Sequence, residues 1–316
     1  MILCVTLNPC LDKTLTVPAW KPGESVRGVR LGEIVGGKGN NVARALKQTG
    51  HANVRPVTFL GGSTGDHCAQ LLRNQDRFEP LVVSTVAQTR VILTVTTQST
   101  GDQTAFFDPD PAIEPQEAAQ LIGLVEAELK SGQVTALTLS GSSPSPATHG
   151  VFRELVALAL ARKVPTFLDT YGPALTSIHG FWPTVMQVNH REATQYLKRE
   201  TAHEADILGL LQKWANQGVD HAIVTNGPDP AWARIGGLFY KVTPPQVPIV
   251  NPIGSGDCLL AGQVDAWLKK LDPEPSLRRA FAYGVANAMV WDAGQIDPGL
   301  VANLESKVIV EPMTSL

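Results

Sequence analysis

The chain is poor in cysteine, in net charge and in long apolar runs, and each shortage closes a class of explanation. Its four cysteines, Cys4, Cys10, Cys68 and Cys258, include no Cys-x-x-Cys pair. That spacing supplies neither a disulfide framework nor a zinc knuckle, so reduced thiols in a cytoplasmic protein are the expected state. The formal charge of −3 at pH 7 offers no basic footprint for nucleic acid and no attraction to an acidic membrane surface. No apolar stretch reaches the roughly 18 residues that a membrane helix needs. The first residues, Met1-Ile-Leu-Cys-Val-Thr-Leu7, have no basic segment ahead of the apolar one and read as a strand, so no signal peptide is expected. Two nucleotide signatures are also missing. Neither the Gly-x-x-x-x-Gly-Lys-Ser/Thr of P-loops nor the Gly-x-Gly-x-x-Gly of dinucleotide folds occurs. Internal repeats, low-complexity tracts and an obvious linker are absent as well.

What is present suits a soluble α/β protein. Of the 316 residues, 43% are hydrophobic and 17% charged, enough to bury a large core. Strand-like runs near 2–7, 57–60, 134–139, 165–169, 185–189 and 222–225 alternate with helix-like stretches near 115–129, 206–218 and 278–290. Such alternation predicts a central, mostly parallel sheet with helices on both faces. Two β-rich stretches, about 13–35 and 89–108, interrupt it. The expectation is one domain over 1–316 with a small second sheet built from those stretches. Ligands of open α/β sheets sit beyond the carboxyl ends of the strands.

The densest chemistry lies in Asn251-Pro-Ile-Gly-Ser-Gly-Asp257, followed by an apolar helical run from Cys258 to about Leu268. Gly254, Ser255 and Gly256 form a turn that presents backbone N–H groups at a helix N-terminus, where an anion is stabilised. A carboxylate in that place has two readings. Asp257 caps an ordinary helix, or it takes a proton from a hydroxyl that attacks a phosphate. Cys258, beside it, makes inhibition by an alkylating reagent an expectation. Asp12 follows the first strand through an Asn8-Pro9 turn and is either a turn cap or a ligand contact. Gly36-Gly-Lys-Gly-Asn-Asn41 opens a second helix with three glycines that permit close backbone approach. Asn189 and Glu192, three apart at a helix start, form either a capping box or an oxygen pair suited to Mg²⁺, directly or through water.

Taken together, Gly-Ser-Gly-Asp257 and Gly36-Gly-Lys-Gly-x-Asn-Val-Ala-Arg44 resemble the two signatures of the ribokinase-like (PfkB) family of sugar kinases. Thr6-Leu-Asn-Pro-x-Leu-Asp12 resembles in particular its 1-phosphofructokinase, tagatose-6-phosphate kinase and 6-phosphofructokinase-2 branch. The resemblance spans nearly the whole chain. It implies a ribokinase-like fold with a β lid, and ATP- and Mg²⁺-dependent phosphorylation of a sugar phosphate. It makes Asp257 the catalytic base and Gly254, Ser255 and Gly256 the anion hole. Asp12, Gly37 and Asn41, with Lys38 beside them, would orient the sugar, and Arg27, Arg90 and Ser142 would grip its phosphate. Asn189 and Glu192 would serve metal and nucleotide, Thr225 and Gly227 would run along the nucleotide, and Asn287 would line the adenine pocket. A homodimer through the lid edges is the implied assembly. Four places depart from the family pattern. Gln187 replaces a usual lysine, Pro230 replaces a glycine, the Ser142-Ser-Pro-Ser145 segment is altered, and Asp108 and Asp110 stand in a turn that is otherwise less acidic. The last two read as surface charges, with altered sugar choice the alternative. Two rivals stay open. One is a kinase for an unphosphorylated sugar or nucleoside, against which Arg27 and Arg90 speak. The other is a weakly catalytic ligand-binding protein on the same fold, motivated by Gln187, Pro230 and the Ser142 segment and opposed by Asp257 with its glycines.

Overall fold

Two sheets of unequal size meet at one edge of the molecule. The computed structural model describes residues 1–313. The larger sheet has ten strands: β1 (Ile2–Thr6), β4 (Val54–Gly61), β5 (Leu81–Thr85), β8 (Ala136–Ser140), β9 (Thr166–Asp169), β10 (Val185–Asn189), β11 (His221–Thr225), β12 (Ala231–Ile235), β13 (Leu238–Thr243) and β14 (Ile309–Met313). Their order is β14-β13-β12-β11-β10-β9-β8-β1-β4-β5. All pairings from β5 to β11 are parallel. The last three strands add antiparallel at one edge. The smaller sheet contains β2 (Cys10–Val17), β3 (Arg30–Gly36), β6 (Arg90–Thr97) and β7 (Gln103–Phe107), in the order β3-β2-β6-β7.

Among the described residues, ten α-helices flank the larger sheet: α1 (Lys38–Gln48), α2 (Gly62–Asn74), α3 (Pro115–Lys130), α4 (Val151–Leu160), α5 (Gly172–Thr176), α6 (His190–Tyr196), α7 (Glu204–Asn216), α8 (Ser255–Leu268), α9 (Pro273–Ala288) and α10 (Pro298–Glu305). The strands are apolar on both faces because both faces are packed. One core joins α1, α2, α8, α9 and α10 to the sheet; a second joins α3, α4 and α7 to the opposite face. Local chemistry sets the helix starts. Pro115 occupies the first turn of α3, where its missing N–H costs nothing, and Glu114 and Glu117 form a reciprocal capping box.

Helix α8 differs from the rest. Every residue from Asp257 to Ala266 is buried, because the helix is apolar nearly all round and lies in the core against α1 and α9. Two aspartates, Asp257 and Asp265, are thereby carried into the interior.

The parallel strands bring their carboxyl ends to one rim. Thr6, Ser140, Asp169, Asn189 and Thr225 end β1, β8, β9, β10 and β11. At this rim the chain order reverses, with β4 on one side of β1 and β8 on the other, the topology that opens a ligand crevice. The smaller sheet borders it, since Asp12, Arg90, Ile92 and Phe107 line the same cavity as Thr6, Asp169 and Asn189.

Candidate active site

Two helices aim their N-termini at the crevice, and each begins on a glycine that no other residue can replace without strain. Gly37 precedes α1 with φ of 114°, and a Cβ there would lie 2.6 Å from Thr6 Cγ2. Gly254 precedes α8 with φ of 88°, and a Cβ there would lie 2.9 Å from both Ala293 Cβ and Asn287 Oδ1. Positive φ is nearly free for glycine and costly for residues with a Cβ. The unpaired N–H groups of both helices therefore face the rim.

A cavity of about 360 Å³ lies between the rim and the smaller sheet. Asp12, Gly37, Lys38, Asn41, Arg90, Ser142, Asn189, Glu192, Thr225, Gly254, Gly256 and Asp257 all line it. A second cavity, about 280 Å³, lies on the other side of the α8 turn. It shares Asn189, Thr225 and Gly256 with the first and adds Gly227, Ser255 and an apolar wall that includes Val247, Leu259, Phe281 and Val285. The Gly254–Asp257 turn thus stands between two spaces.

Asp257 sits at that divide, 5% exposed. Its Oδ2 accepts a hydrogen bond from Asn41 Nδ2 at 2.8 Å, and among the described residues it forms no ion pair. Burial pushes its carboxyl up to about 7; Lys38 and the Asn41 amide oppose the rise, and Asp169 and Glu192 add to it. A carboxylate with that proton affinity can accept a proton near neutral pH and release it again. It also lines the cavity instead of turning into the core.

Lys38 supplies the positive charge of the site. Its Nζ lies 2.8 Å from Asp169 Oδ1 and 3.8 Å from Glu192 Oε1. Burial works against its charge, but the carboxylates of Asp169, Glu192 and Asp257 together hold it protonated well above the usual lysine range. Gln187, which stands where a lysine was expected, is buried in the same cluster. Its Nε2 donates to Asp169 Oδ2 at 3.0 Å and to the Gly256 carbonyl at 2.8 Å, while its Oε1 accepts from Gln263 Nε2 at 2.8 Å. A neutral amide thus satisfies both a carboxylate and the α8 turn.

Asn189 and Glu192 do form the capping box. Each accepts from the other's backbone N–H at 2.9 Å. That bond set uses Asn189 Oδ1 and Glu192 Oε2, and both residues still line the larger cavity. Burial raises the proton affinity of Glu192, Lys38 opposes the rise and Asp169 adds to it. Asp12 lies on β2, opposite Ile34 and Ile92. Its carboxyl is raised by burial, countered by Arg44 and reinforced by Asp292.

Two expected residues stand elsewhere. Arg27 is exposed in the segment between β2 and β3 and lines neither cavity. Asn287 is fully buried and turned toward the 291–295 loop, where its Nδ2 donates to the carbonyls of Asp292 and Gln295 at 3.1 and 3.0 Å. It braces the segment behind Gly254 and lines neither of these two cavities. Cys258 is fully buried, and burial holds its thiol well above the ordinary range, which disfavours the reactive thiolate. Three contributors were not foreseen as site residues. Asp169 ends a buried strand, the same signal that drew attention to Asp12. Asn8 lies in the adjoining turn, and Tyr171 follows Asp169 with its ring 5.5 Å from Lys38 Nζ.

Residues 5–295 match the family described as pfkB family carbohydrate kinase. Among solved structures, phosphofructokinase-2 from Escherichia coli in complex with fructose-6-phosphate is 24% identical, with 97% of this chain and 98% of that one covered and a TM-score of 0.84. A protein described as a possible 1-phosphofructokinase from Thermotoga maritima is 22% identical over 99% of each chain, with a TM-score of 0.88. A carbohydrate kinase from Agrobacterium tumefaciens is 19% identical over 98% of this chain and 99% of that one, with a TM-score of 0.74. The large, mostly parallel sheet with its separate small sheet is the fold these proteins share.

Proposed function

The chain belongs to the pfkB family of carbohydrate kinases, a phosphotransferase with an alcohol group as acceptor, and from that premise we propose that it uses ATP to phosphorylate a hydroxyl of a sugar that already carries a phosphate. The observation that carries the reading is the position of Asp257 on the turn between the two cavities. A sugar hydroxyl in the larger cavity would meet the terminal phosphoryl group of a nucleotide in the smaller one at this turn. Asp257 would take the hydroxyl proton, and the N–H groups of Gly254, Ser255 and Gly256 would stabilise charge on the transferred group. Each such donor is worth roughly 3–4 kcal/mol to a transition state.

The residues present fit a nucleotide. The smaller cavity has an apolar wall for a flat base, and the buried Ser255 Oγ has no partner at the helix mouth. They fit Mg²⁺ in a limited way. No group of three or more His, Cys, Asp or Glu side chains occurs among the described residues, so Asn189 and Glu192 would hold the ion jointly with nucleotide phosphates, the usual arrangement for this cation. When bound, the ion supplies neutralisation of phosphate charge. Lys38 adds a fixed positive charge, Asp12, Gly37 and Asn41 would orient the sugar hydroxyls, and Arg90 and Ser142 would hold its phosphate. The smaller sheet acts as the lid of one domain, excluding water from the reaction. Its exposed Leu31, Phe106 and Phe107 favour pairing with a second copy.

The test is ADP release with MgATP against fructose 1-phosphate, fructose 6-phosphate, tagatose 6-phosphate and the free sugars. The expected result is preference for one phosphosugar, with Arg90→Ala raising its KM about 10- to 100-fold, the loss of a charge-assisted hydrogen bond. Preference for a free sugar with no effect of Arg90→Ala overturns the reading. Binding without turnover moves the protein to the weakly catalytic class.

A further inference from the structure

The chain places a carboxylate of its own against the groups assigned to the substrate's phosphate. Arg90 Nη1 donates to Asp110 Oδ1 at 3.0 Å, and Asn8 Nδ2 donates to the same oxygen at 2.8 Å. Asn8 Nδ2 also lies 3.0 Å from Ser142 Oγ. Donors from the turn after β1 and from the start of β6 therefore converge on one oxygen, as a site for an oxyanion requires, with Ser142 Oγ beside them as a second acceptor for Asn8. Asp110 supplies that oxygen.

The pair is lopsided. The Arg90 side chain is 14% exposed and that of Asp110 is 47% exposed. Arg90 Nη2 is also held by the Asn8 carbonyl at 3.3 Å, so the guanidinium is anchored whether or not Asp110 is present. Its buried Nε has no partner, so the fork is not saturated. Asp108, two residues earlier, behaves otherwise. Its carboxylate accepts from Val91 N–H at 2.8 Å and its own N–H donates to the Val91 carbonyl at 3.0 Å. Asp108 extends the pairing of β6 with β7, and Asp110 lies beyond it in a loop between Pro109 and Pro111.

We propose that Asp110 is a specificity-determining residue, an internal anion that competes with the sugar's phosphate for Arg90 and Asn8 and must swing out for a phosphosugar to bind. The inference rests on the reading of the larger cavity as a phosphosugar site. Arg90 and Lys38, two cations that line this cavity, are each matched by a carboxylate, Asp110 and Asp169 respectively. An incoming phosphate dianion meets a carboxylate instead of a free guanidinium. Half-exposed ion pairs are weak enough for such a ligand to displace, while the repulsion between phosphate and an unmoved carboxylate is not. A free sugar leaves the pair undisturbed. Asp110 thus sets how strongly the site prefers phosphorylated over unphosphorylated sugar.

The probe is inorganic phosphate, titrated calorimetrically into the full chain as wild type, Asp110→Asn, and Arg90→Ala with Asp110→Asn. Asparagine keeps the size of the side chain and removes its charge. Asp110→Asn is expected to bind phosphate about tenfold tighter, with the gain gone in the double variant. The double variant separates this grip from phosphate at the α8 turn. The KM for fructose 6-phosphate falls in parallel, the KM for free fructose does not, and Asp110→Ala moves phosphate affinity in the same direction. Phosphate affinity that is unchanged or weaker in Asp110→Asn overturns the proposal, as does a gain that survives without Arg90. Phosphate binding needs no turnover, so failure of the kinase reading appears separately, as absence of ADP release by the wild type.

Discussion

Helix α8 carries two aspartates eight residues apart, and the core treats them in opposite ways. Asp265 is fully buried and surrounded. His51 Nε2 lies at 2.7 Å, Lys269 Nζ at 3.1 Å and Tyr283 Oη at 3.0 Å, and Arg279 bonds the same carboxylate. Burial alone raises a carboxyl, but His51, Arg279 and Lys269 overcome it and hold Asp265 well below the usual range. Asp257 has the same chemistry and nearly the same burial, yet one amide, Asn41, is its hydrogen-bond partner and its proton affinity rises to about 7. A buried charge that is fully partnered is a structural tie; one that is left under-partnered beside a cavity is available for proton transfer.

Substitution of each aspartate by asparagine separates the two roles. Asp257→Asn removes a proton acceptor and little packing. The expected loss in kcat is about 10³-fold, within the range of a general base, with an unfolding midpoint at neutral pH that holds or rises, since a buried charge is removed. ADP release and a urea melt read both quantities, and a variant keeping a tenth of wild-type activity refutes the assignment. Asp265→Asn should do the reverse. It leaves Arg279 and Lys269 short of their shared partner, and removal of one member of a buried charge cluster costs about 3 kcal/mol or more. The urea midpoint should fall while kcat in the folded fraction stays near wild type. Equal stability of the two variants would erase the contrast.

The pH dependence sharpens the contrast, since the two groups pull stability in opposite directions. Asp257 binds its proton more tightly folded than unfolded. Between roughly pH 4 and 7 the folded state therefore takes up a proton, and its contribution to stability declines as pH rises through that window. Asp265 is depressed when folded, so its contribution is fully present above the unfolded value of 3.8 and is lost as pH falls below it. Activity that depends on Asp257 as a base should show an acid limb in kcat/KM near pH 7. Gln187→Lys tests the cause. An added cation in the Asp169 cluster should move that limb down by about one unit. A limb that stays in place shows that another group controls it.

Much of this arrangement was legible in the residues. The alternation of strand and helix patterns gave the layered architecture, because two-residue and 3.6-residue periodicities mark which faces are buried. The two glycine turns were legible because few residues other than glycine tolerate positive φ beside a helix mouth. Other features were not. Nothing in the sequence marks the break between Leu81–Thr85 and Arg90–Thr97, yet β5 and β6 belong to different sheets. The edge strand β14 left no usable signal, since its pairing with β13 is a long-range choice. Arg27 and Asn287 were assigned by motif position, and side-chain direction sent one to solvent and the other behind Gly254.

The sequence by itself determined the layers, the two helix mouths and the presence of an acid at one of them. Those follow from local rules: periodicity, backbone freedom and the N–H groups that every helix start exposes. Only the tertiary structure decided which aspartate of α8 would be neutralised by four partners and which would be left to one amide, and that Asp110 would reach Arg90. Proton affinity and ion pairing depend largely on groups far apart in the chain, such as His51 for Asp265 and Asn41 for Asp257, and packing brings those groups together.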